Sequence, residues 1–182
     1  MKVTPLPLAG AMRVDLEPLG DDRGFFARMF CVEEFAAHDL ETGWVQVNTS
    51  YTASAGTVRG MHFQRPPMAE AKLVRCLRGA IWDVIVDLRL GSPTYGRWHG
   101  ERLDDHNRSM LYVPRGFAHG FQTLTDDVEM LYFHSASYSK AHEGGLRWDD
   151  PAVSIEWPLE MTSQSARDAA FPRLDALEPV QI

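Results

Sequence analysis

The chain has 182 residues, enough for one domain with a real hydrophobic core, and 45% of them are hydrophobic while 24% are charged. Its formal net charge of −7 at pH 7 argues against a nucleic-acid surface, because such a surface needs a basic stripe to displace counterions. An anionic small ligand is still compatible with this charge, since a few clustered arginines can reverse the local field.

Two further features bear on location and redox state. No run of about 18 apolar residues occurs, so we expect no transmembrane helix, and the N-terminal segment lacks the apolar core of a signal peptide. Cys31 and Cys76 show neither metal-site nor redox spacing. We therefore expect a cytoplasmic protein with reduced core thiols.

Helical patterns are scarce. The spacing predicts one helix over residues 31–40, where Val32, Phe35 and Leu40 form an apolar side and acidic residues lie near the start. Residues 163–171 predict only a short helical turn.

Strand patterns dominate the rest of the chain. The predicted strands are short, rich in β-branched and aromatic residues, and bounded by turn residues. They cover residues 73–79, 80–90, 109–114, 117–124 and 129–138. Turns recur at the spacing of an antiparallel sandwich or barrel. With no internal repeat or linker, the chain predicts one all-β domain over residues 1–182, with short helices in its N- and C-terminal regions.

A histidine and a lysine interrupt the strand-like segments. His62 and Gln64 alternate with Met61 and Phe63, so the polar pair faces either a cavity or solvent. Lys72 shares the parity of residues that would face a core, where a lone lysine ordinarily extends its ammonium outward. Both residues are candidates for a site within the sheet.

His119 ends a P-x-G-x-x-H segment, residues 114–119, which resembles the second half-motif of the cupin barrels. Metal-binding cupins place a second histidine two residues after the first, but Gln64 occupies that position and is a poor transition-metal ligand. His62, Glu70 and His119 could still form a facial metal set, which is the less favoured reading.

Two tyrosines and two arginines complete the candidate site. Tyr132 and Tyr138 share a parity on the predicted strand 129–138, so both phenols could point into one space, although ordinary packing with a wet hydroxyl is common for tyrosine. Arg23 and Arg59 carry planar guanidinium groups that suit phosphate oxygens.

Taken in chain order, these segments resemble the dTDP-4-dehydrorhamnose 3,5-epimerases. Each segment is weak alone, but the ordered set is specific and covers residues 21 to about 172. The segments are DDRGFF, VQVNTSYTASAGTVRGMHFQ, PPMAEAKLVRCLRGAIWDVIVDLR, SPTYG, YVPRGFAHGF, LYFHSASY, EGGLRWDDPAVSIEWP and SQSARD.

The resemblance implies a cupin-type antiparallel β-sandwich, or jelly roll, that needs neither a metal nor another cofactor. It also implies a homodimer in which each site receives residues from the neighbouring subunit. The expected substrate is a nucleoside diphosphate 4-keto-6-deoxy sugar, epimerised at C3 and C5 for rhamnose and polysaccharide biosynthesis.

The resemblance also implies the catalytic roles. His62 is the base and Asp168 its partner, in a segment where Arg167 replaces the usual lysine. Removing a proton at C3 or C5 puts charge on O4, which Lys72 would stabilise in the manner of an oxyanion hole. Tyr132 would return a proton from the opposite face and so invert the centre.

Substrate-binding roles follow from the same resemblance. The two arginines would contact the diphosphate and Tyr138 the sugar nucleotide. Phe26 and Gln46 belong to the base-binding region, while Asn48 and His119 line the sugar pocket. The residues assigned to binding are Arg23, Phe26, Arg28, Gln46, Asn48, Arg59, His119 and Tyr138.

Two departures from the family pattern bear on the substrate. Arg28 replaces a glutamate near the nucleobase, and this reversed charge leaves CDP or another carrier open beside dTDP. Glu70 replaces a glutamine two residues before Lys72, where a carboxylate could pair with the lysine or raise its pKa.

Three alternative functions stay open. The first is an epimerase that acts at only one carbon. The second is a metal-dependent cupin oxygenase or isomerase, which Gln64 disfavours. The third is a non-catalytic binder of sugar nucleotides, which would not need a base and an acid together.

Overall fold

Thirteen short β-strands form most of the regular structure of this protein, which the computed structural model describes over residues 1–182. The strands are β1 (Lys2–Pro5), β2 (Met12–Asp15), β3 (Leu19–Asp21), β4 (Gly24–Phe26), β5 (Gln46–Thr52), β6 (Val58–Gln64), β7 (Lys72–Arg78), β8 (Ala80–Asp87), β9 (Trp98–Asp104), β10 (Met110–Val113), β11 (Phe117–Thr123), β12 (Val128–His134) and β13 (Glu143–Gly145). The helical elements are α1 (Val32–Ala36), α2 (Ala166–Ala169) and one 3₁₀ turn (Leu174–Ala176).

The strands form two larger sheets and one hairpin. A six-stranded sheet has the order β1-β2-β10-β7-β12-β5, and a five-stranded sheet has the order β13-β6-β11-β8-β9. The hairpin β3–β4 stands apart, and every strand pairing within these sheets is antiparallel. The prediction of an all-β antiparallel sandwich with short helices is therefore confirmed.

The space between the two sheets holds the largest apolar cluster. Alternation along each strand turns every second side chain inward, and each buried side chain of this kind contributes roughly 1.5–3 kcal/mol. The cluster has 13 buried residues, among them Val74, Cys76, Ile81, Ile85, Leu111, Phe117, Phe121 and Met130. The same inward rows also carry Lys72, His119 and Tyr132, which places polar groups inside the sandwich.

The outer faces of both sheets are also partly covered. The C-terminal segment packs Leu146, Val153 and Val180 against the five-stranded sheet. The segment around α1 packs Phe35 and Leu40 against the six-stranded sheet. Large apolar side chains of the edge strand β5 and of the hairpin β3–β4 stay exposed, among them Val47, Tyr51 and Phe26.

The helix predicted over residues 31–40 is shorter than expected. It ends at Ala36, because Asp39 takes a left-handed φ of +57° and turns the chain. Leu40 still packs in the core, through a turn in which its N–H donates to the carbonyl of Phe35 at 3.0 Å. The predicted turn at 163–171 contains the four-residue helix α2.

Two smaller expectations concern membrane-spanning helices and the two cysteines. No helix is long and apolar enough to span a membrane. Both cysteines are free thiols. Burial raises the pKa of the Cys76 thiol to about 12, so this core thiol stays protonated at neutral pH. Cys31 is only half-buried.

Candidate active site

A cavity of about 260 Å³ opens between the two sheets. It is lined by side chains of strands from both sheets, namely Asn48, Thr49, Ser50, Arg59, His62, Lys72, His119, Phe121, Tyr132 and His134. Only two of these ten residues are hydrophobic, which is unusual for the interior of a sandwich.

Strand register sets which residues share a wall of the cavity. In the five-stranded sheet His119 on β11 pairs directly with His62 on β6. In the six-stranded sheet His134 on β12 pairs with Lys72 on β7, and Tyr132 lies two residues earlier on the same face. The two histidines of one sheet therefore face the lysine and the phenol of the other.

His62 forms a hydrogen-bonded pair with Asp168. The His62 Nε2 lies 2.9 Å from the Asp168 Oδ1, and Asp168 Oδ2 accepts the N–H of Gly60 at 2.9 Å. Burial alone would raise the pKa of Asp168, but the hydrogen bond and charge of His62, with the Gly60 N–H, outweigh it and hold that pKa well below its usual range. Asp168 is therefore an anion that orients the imidazole.

The helix α2 holds Asp168 in place. Ser165 caps this helix, and its Oγ accepts the Asp168 N–H at 3.0 Å. Burial lowers the pKa of His62, while Asp168 opposes that effect. A neutral His62 that donates Nε2–H to the carboxylate keeps a lone pair on Nδ1, which has no partner within the protein.

Arg167 is an additional member of this group. Its Nη2 lies 3.0 Å from His62 Nε2, its Nε 3.3 Å from Asp168 Oδ1, and its Nη1 2.8 Å from Glu143 Oε1. One ring nitrogen cannot donate to the carboxylate and accept from a guanidinium together. The ionised Asp168 is a stronger acceptor than a neutral imidazole nitrogen. His62 therefore donates its Nε2–H to Asp168, and Arg167 is held by the carboxylates of Asp168 and Glu143.

Lys72 points into the cavity, so the outward orientation usual for a lone lysine is wrong here. Its side chain is only 8% exposed. The ammonium lies 3.3 Å from the carbonyl oxygen of His62 and 3.3 Å from Glu70 Oε1. Glu70, which departs from the family pattern, thus pairs with Lys72. Its carboxylate offsets the cost of burying the ammonium charge.

Glu70 also holds His134, which the sequence did not single out. Its Oε2 lies 3.0 Å from His134 Nδ1 and accepts from Gln64 Nε2 at 3.2 Å. Burial alone would raise the pKa of Glu70, but the hydrogen bond from His134 and the charge of Lys72 outweigh it and lower that pKa. The only sequence signal for His134 is the parity that it shares with Tyr132.

Tyr132 faces the cavity from the six-stranded sheet. Its hydroxyl lies 2.8 Å from Ser50 Oγ. Burial raises the pKa of the Tyr132 phenol, so the group is protonated at neutral pH and can act as a proton donor.

His119 is both a cavity residue and a buried core histidine. Its Nε2 lies 2.7 Å from Asp83 Oδ1, and Asp83 is fully buried. Burial raises the pKa of Asp83. In the sequence, Asp83 is recognisable only as a polar residue that alternates with apolar ones along a strand. Its pairing with His119 depends on the register of β8 against β11.

Of the residues expected to bind substrate, Asn48 and Arg59 lie inside the cavity and Gln46 lies at its edge. Asn48 and Arg59 line the cavity, and the Arg59 guanidinium donates to the carbonyl of Tyr51 at 3.1 Å. Gln46 lies outside it, where its Oε1 accepts the Tyr138 N–H at 3.1 Å.

The expectation that Tyr138 shares a strand with Tyr132 is wrong. β12 ends at His134, and the backbone N–H of Tyr138 bonds to a side chain instead of a neighbouring strand. Tyr138 is 56% exposed, and its hydroxyl donates to Glu143 Oε2 at 3.1 Å. It therefore belongs to an outer edge with Glu143 and Arg167, two residues that sequence reasoning did not assign to binding.

Three expected binding residues lie away from the cavity within one chain. The Arg23 side chain is 90% exposed and bonds only to Asp21, next to it on the β3–β4 hairpin. Phe26 on the same hairpin is 73% exposed. Arg28 pairs with Glu34 at 2.6 Å, which offsets its reversed charge locally.

The three side chains considered as a metal set are each bound to a different partner. His62 bonds to Asp168, His119 to Asp83, and Glu70 to His134. No group of three or more histidine, cysteine, aspartate or glutamate side chains is arranged to hold a metal ion.

Comparisons with known proteins point to one family. The family model described as dTDP-4-dehydrorhamnose 3,5-epimerase matches residues 5–176. A relative named dTDP-4-dehydrorhamnose 3,5-epimerase from Sinorhizobium fredii is 47% identical over 171 residues, which cover 93% of this chain and 87% of the relative.

Solved structures agree with the sequence match. NovW, a 4-keto-6-deoxy sugar epimerase from the novobiocin gene cluster of Streptomyces spheroides, superimposes with a TM-score of 0.91 at 40% identity, over 96% of this chain and 88% of that one. The dTDP-4-dehydrorhamnose 3,5-epimerase of Bacillus anthracis, with TDP and PPi bound, gives a TM-score of 0.91 at 40% identity, over 94% of this chain and 98% of that one.

Proposed function

The chain belongs to the dTDP-4-dehydrorhamnose 3,5-epimerase family, and we propose that it epimerises a nucleotide-linked 4-keto-6-deoxyhexose at C3 and C5. One observation carries the proposal. The imidazole of the His62–Asp168 pair and the phenol of Tyr132 reach one cavity from different sheets, and the Lys72 ammonium lies in the same cavity. A base and an acid on opposite sides of a bound sugar are what inversion of a carbon centre requires.

His62 abstracts the proton. Hydrogens at C3 and C5 are acidic because their removal gives an enolate with its charge on O4. The free lone pair of His62 Nδ1 accepts such a proton, and Asp168 stabilises the imidazolium that forms. This pairing also keeps the ring in the tautomer that leaves Nδ1 available.

Lys72 stabilises the enolate and Tyr132 completes the inversion. A nearly buried ammonium beside O4 acts as a fixed positive charge, which is worth more in a site that excludes water. Tyr132 then delivers its proton to the opposite face of the carbon. The tyrosinate then regains a proton from solvent, which Ser50 Oγ can relay because it lies within hydrogen-bond distance of the phenol, and His62 releases its proton to solvent.

A thymidine diphosphate carrier is the nucleotide that the relatives support, since the Bacillus anthracis structure holds TDP. Arg28 pairs with Glu34, whose carboxylate also binds the N-terminal ammonium at 2.9 Å, so the reversed charge of Arg28 is partly offset. Arg59 and Arg23 would bind the diphosphate. Asn48 and His119 would hold the sugar, while the remaining residues of the binding set would contact the nucleoside, namely Phe26, Arg28, Gln46 and Tyr138.

The site is completed by a second copy of the chain. Large apolar side chains stand exposed on the β3–β4 hairpin and beside the unpaired edge of β5, namely Leu19, Phe25, Phe26, Val45, Val47 and Tyr51. Patches of this kind mark interaction surfaces. A homodimer that buries them would carry the hairpin and its Arg23 to the neighbour's cavity. Residues 1–182 act as one domain in this assembly.

Proton NMR of the protein with dTDP-4-keto-6-deoxyglucose in D₂O tests the function. Loss of both the C3 and C5 signals, with a new epimer of the L-rhamnose type, is the expected result. Loss of only one signal would make the protein a single-centre epimerase. If neither signal exchanged, while the CDP-linked ketosugar did exchange, the thymidine assignment would be wrong.

A further inference from the structure

A second carboxylate–histidine pair lies in the cavity beside His62–Asp168. His134 lines the cavity, and its Nδ1 lies 3.0 Å from Glu70 Oε2. Both side chains are largely buried, with exposed fractions of 14% for His134 and 8% for Glu70. The mechanism above makes no use of this histidine, although it occupies part of the wall that meets the sugar.

Glu70 fixes the hydrogen-bonding character of His134. The attraction of its neighbours keeps the pKa of Glu70 low, so the carboxylate is ionised and can only accept hydrogen bonds. The neutral imidazole of His134 then carries its hydrogen on Nδ1, which leaves a lone pair on Nε2. That nitrogen has no partner within the protein and is free to accept a hydrogen bond at the cavity wall.

The carboxylate itself is held at both oxygens. Oε1 pairs with the Lys72 ammonium at 3.3 Å, and Oε2 also accepts from Gln64 at 3.2 Å. A glutamine at this position could present its amide group to the imidazole either way round and would allow both tautomers. The glutamate of this chain allows only the one with Nε2 as acceptor.

Strand register places this acceptor next to the position of O4. His134 and Lys72 are directly opposed on β12 and β7, where Cβ atoms of facing residues lie about 4.5–5.5 Å apart. The Tyr132 and His134 rings are 6.2 Å apart. With O4 at the lysine, the neighbouring carbons are C3 and C5. C3 bears a hydroxyl, which can donate a hydrogen bond, whereas C5 bears a methyl group, which cannot.

We propose that His134, positioned by Glu70, accepts a hydrogen bond from the C3 hydroxyl of the hexose and determines specificity at that carbon. This role rests on the proposed function. Because the contact orients C3 and not C5, proton transfer at C3 depends on His134 more strongly than proton transfer at C5. The same contact favours sugars that carry a hydroxyl at C3.

The test compares deuterium exchange at C3 and at C5 in one NMR sample. We expect His134→Phe to lower the C3:C5 exchange ratio about threefold to tenfold, the usual worth of one neutral hydrogen bond. His134→Gln keeps an acceptor in the side chain and should restore most of the ratio. Glu70→Gln should lower it, because the tautomer is no longer fixed. The ratio is independent of the fraction of folded protein, since both signals come from one tube.

His99 offers a matched control. It forms another histidine–glutamate pair, with Nε2 3.0 Å from Glu101 Oε1, and it does not line the cavity. His99→Phe should leave the C3:C5 ratio unchanged. An equal shift in this control would mean that the effect is not specific to the cavity and would overturn the proposal.

Binding of ligands that cannot enolise gives a second readout. Wild-type protein should bind dTDP-6-deoxyglucose about threefold to tenfold more tightly than its 3-deoxy counterpart, and His134→Phe should bind the two equally. An unchanged exchange ratio or unchanged discrimination in His134→Phe would overturn the role of His134 alone. Absence of exchange in the wild-type protein would instead overturn the proposed function, and this role with it.

Discussion

At the level of single residues, each histidine of the cavity is paired with a carboxylate, and each pair has a different exposure. His62 is 30% exposed and its Nδ1 is free, whereas His119 is 6% exposed against a fully buried Asp83. An accessible lone pair is needed to reach a substrate proton. This difference is the physical reason to assign the base to His62 and not to His119.

His62→Ala should abolish deuterium exchange at both C3 and C5, with a decrease of at least about 100-fold, because general-base catalysis contributes that much or more. Binding of dTDP should remain measurable, since Asp168 and the other residues that line the cavity are untouched. Exchange in D₂O and calorimetric titration report the two quantities. Near-native exchange in the variant would rule out His62 as the base.

Tyr132→Phe should separate proton loss from inversion. The variant keeps the ring and its packing but loses the hydroxyl that bonds to Ser50. His62 can still remove and return a proton on its own face, so we expect deuterium incorporation with retention while the yield of epimer falls sharply. NMR distinguishes the two products, and undiminished inversion would assign the acid to another group.

The pH dependence follows from the pKa of His62, which burial lowers against the opposing effect of Asp168. The base works only when neutral, so kcat/KM should fall as the pH drops through this pKa, below the ordinary histidine value of about 6.5. Asp168→Asn removes the charge that favours the imidazolium and should move this acid limb to still lower pH. An acid limb above pH 6.5 in the wild-type protein would contradict the assignment.

At the level of elements, the close approach of β6 and β11 sets the geometry of His62 and His119. Gly60 has a φ of +124°, and a Cβ there would lie 2.6 Å from the Cα of Gly120 and 2.9 Å from the carbonyl oxygen of His119. The Gly60 N–H also holds Asp168. Only glycine therefore fits where the strand that carries His62 meets its neighbour.

Gly60→Ala should separate these strands and lower both stability and exchange activity. Gly91→Ala is the matched control, because Gly91 also has a positive φ, of +73°, but nothing lies within 4 Å of its Cβ position. Both variants place alanine at a positive φ, but +124° lies farther from the left-handed well than +73°, so the excess loss in Gly60→Ala measures the clash together with the added backbone strain. If urea denaturation gave the same free energy of unfolding for Gly60→Ala and Gly91→Ala, the strands would be able to move apart without loss of stability.

The lengths of elements show where local patterns mislead. Residues 31–40 have helical spacing, yet α1 ends at Ala36 because Asp39 reverses the chain and Leu40 reaches the core from a turn. Likewise β12 stops at His134, which moves Tyr138 out of the cavity. In both segments the local spacing continues past the residue at which the chain leaves its element.

At the level of the whole molecule, the expected binding residues are split between the cavity and the distant β3–β4 hairpin. Arg59 lines the cavity, while Arg23 and Phe26 project into solvent. The proposed second copy of the chain would bring the two groups together, and the exposed edge of β5 is the surface available to it.

Mixing two inactive variants tests this arrangement. If sites are shared, a chain with His62→Ala and a chain with Arg23→Ala should together form one intact site per mixed dimer, which recovers about a quarter of wild-type activity after random exchange. Light scattering checks the dimer mass. If the mixture stayed inactive although both variants form dimers, each site would lie within a single chain.

The sequence by itself determined the antiparallel sandwich, the family and the candidates His62, Lys72, Tyr132 and Asp168. These rest on strand alternation and on the order of short motifs, which are properties of neighbouring residues. The fold and the family are confirmed, whereas the residue roles stay predictions that the variants test.

Only the tertiary structure decided which charged groups meet. The pairs His119–Asp83, His134–Glu70 and Arg167–Glu143 join residues 36, 64 and 24 positions apart. Such pairs depend on strand order and register between distant segments, which no local pattern encodes. The inward turn of Lys72 has the same origin, because the Glu70 carboxylate and the His62 carbonyl that hold its ammonium come together only once both sheets have formed.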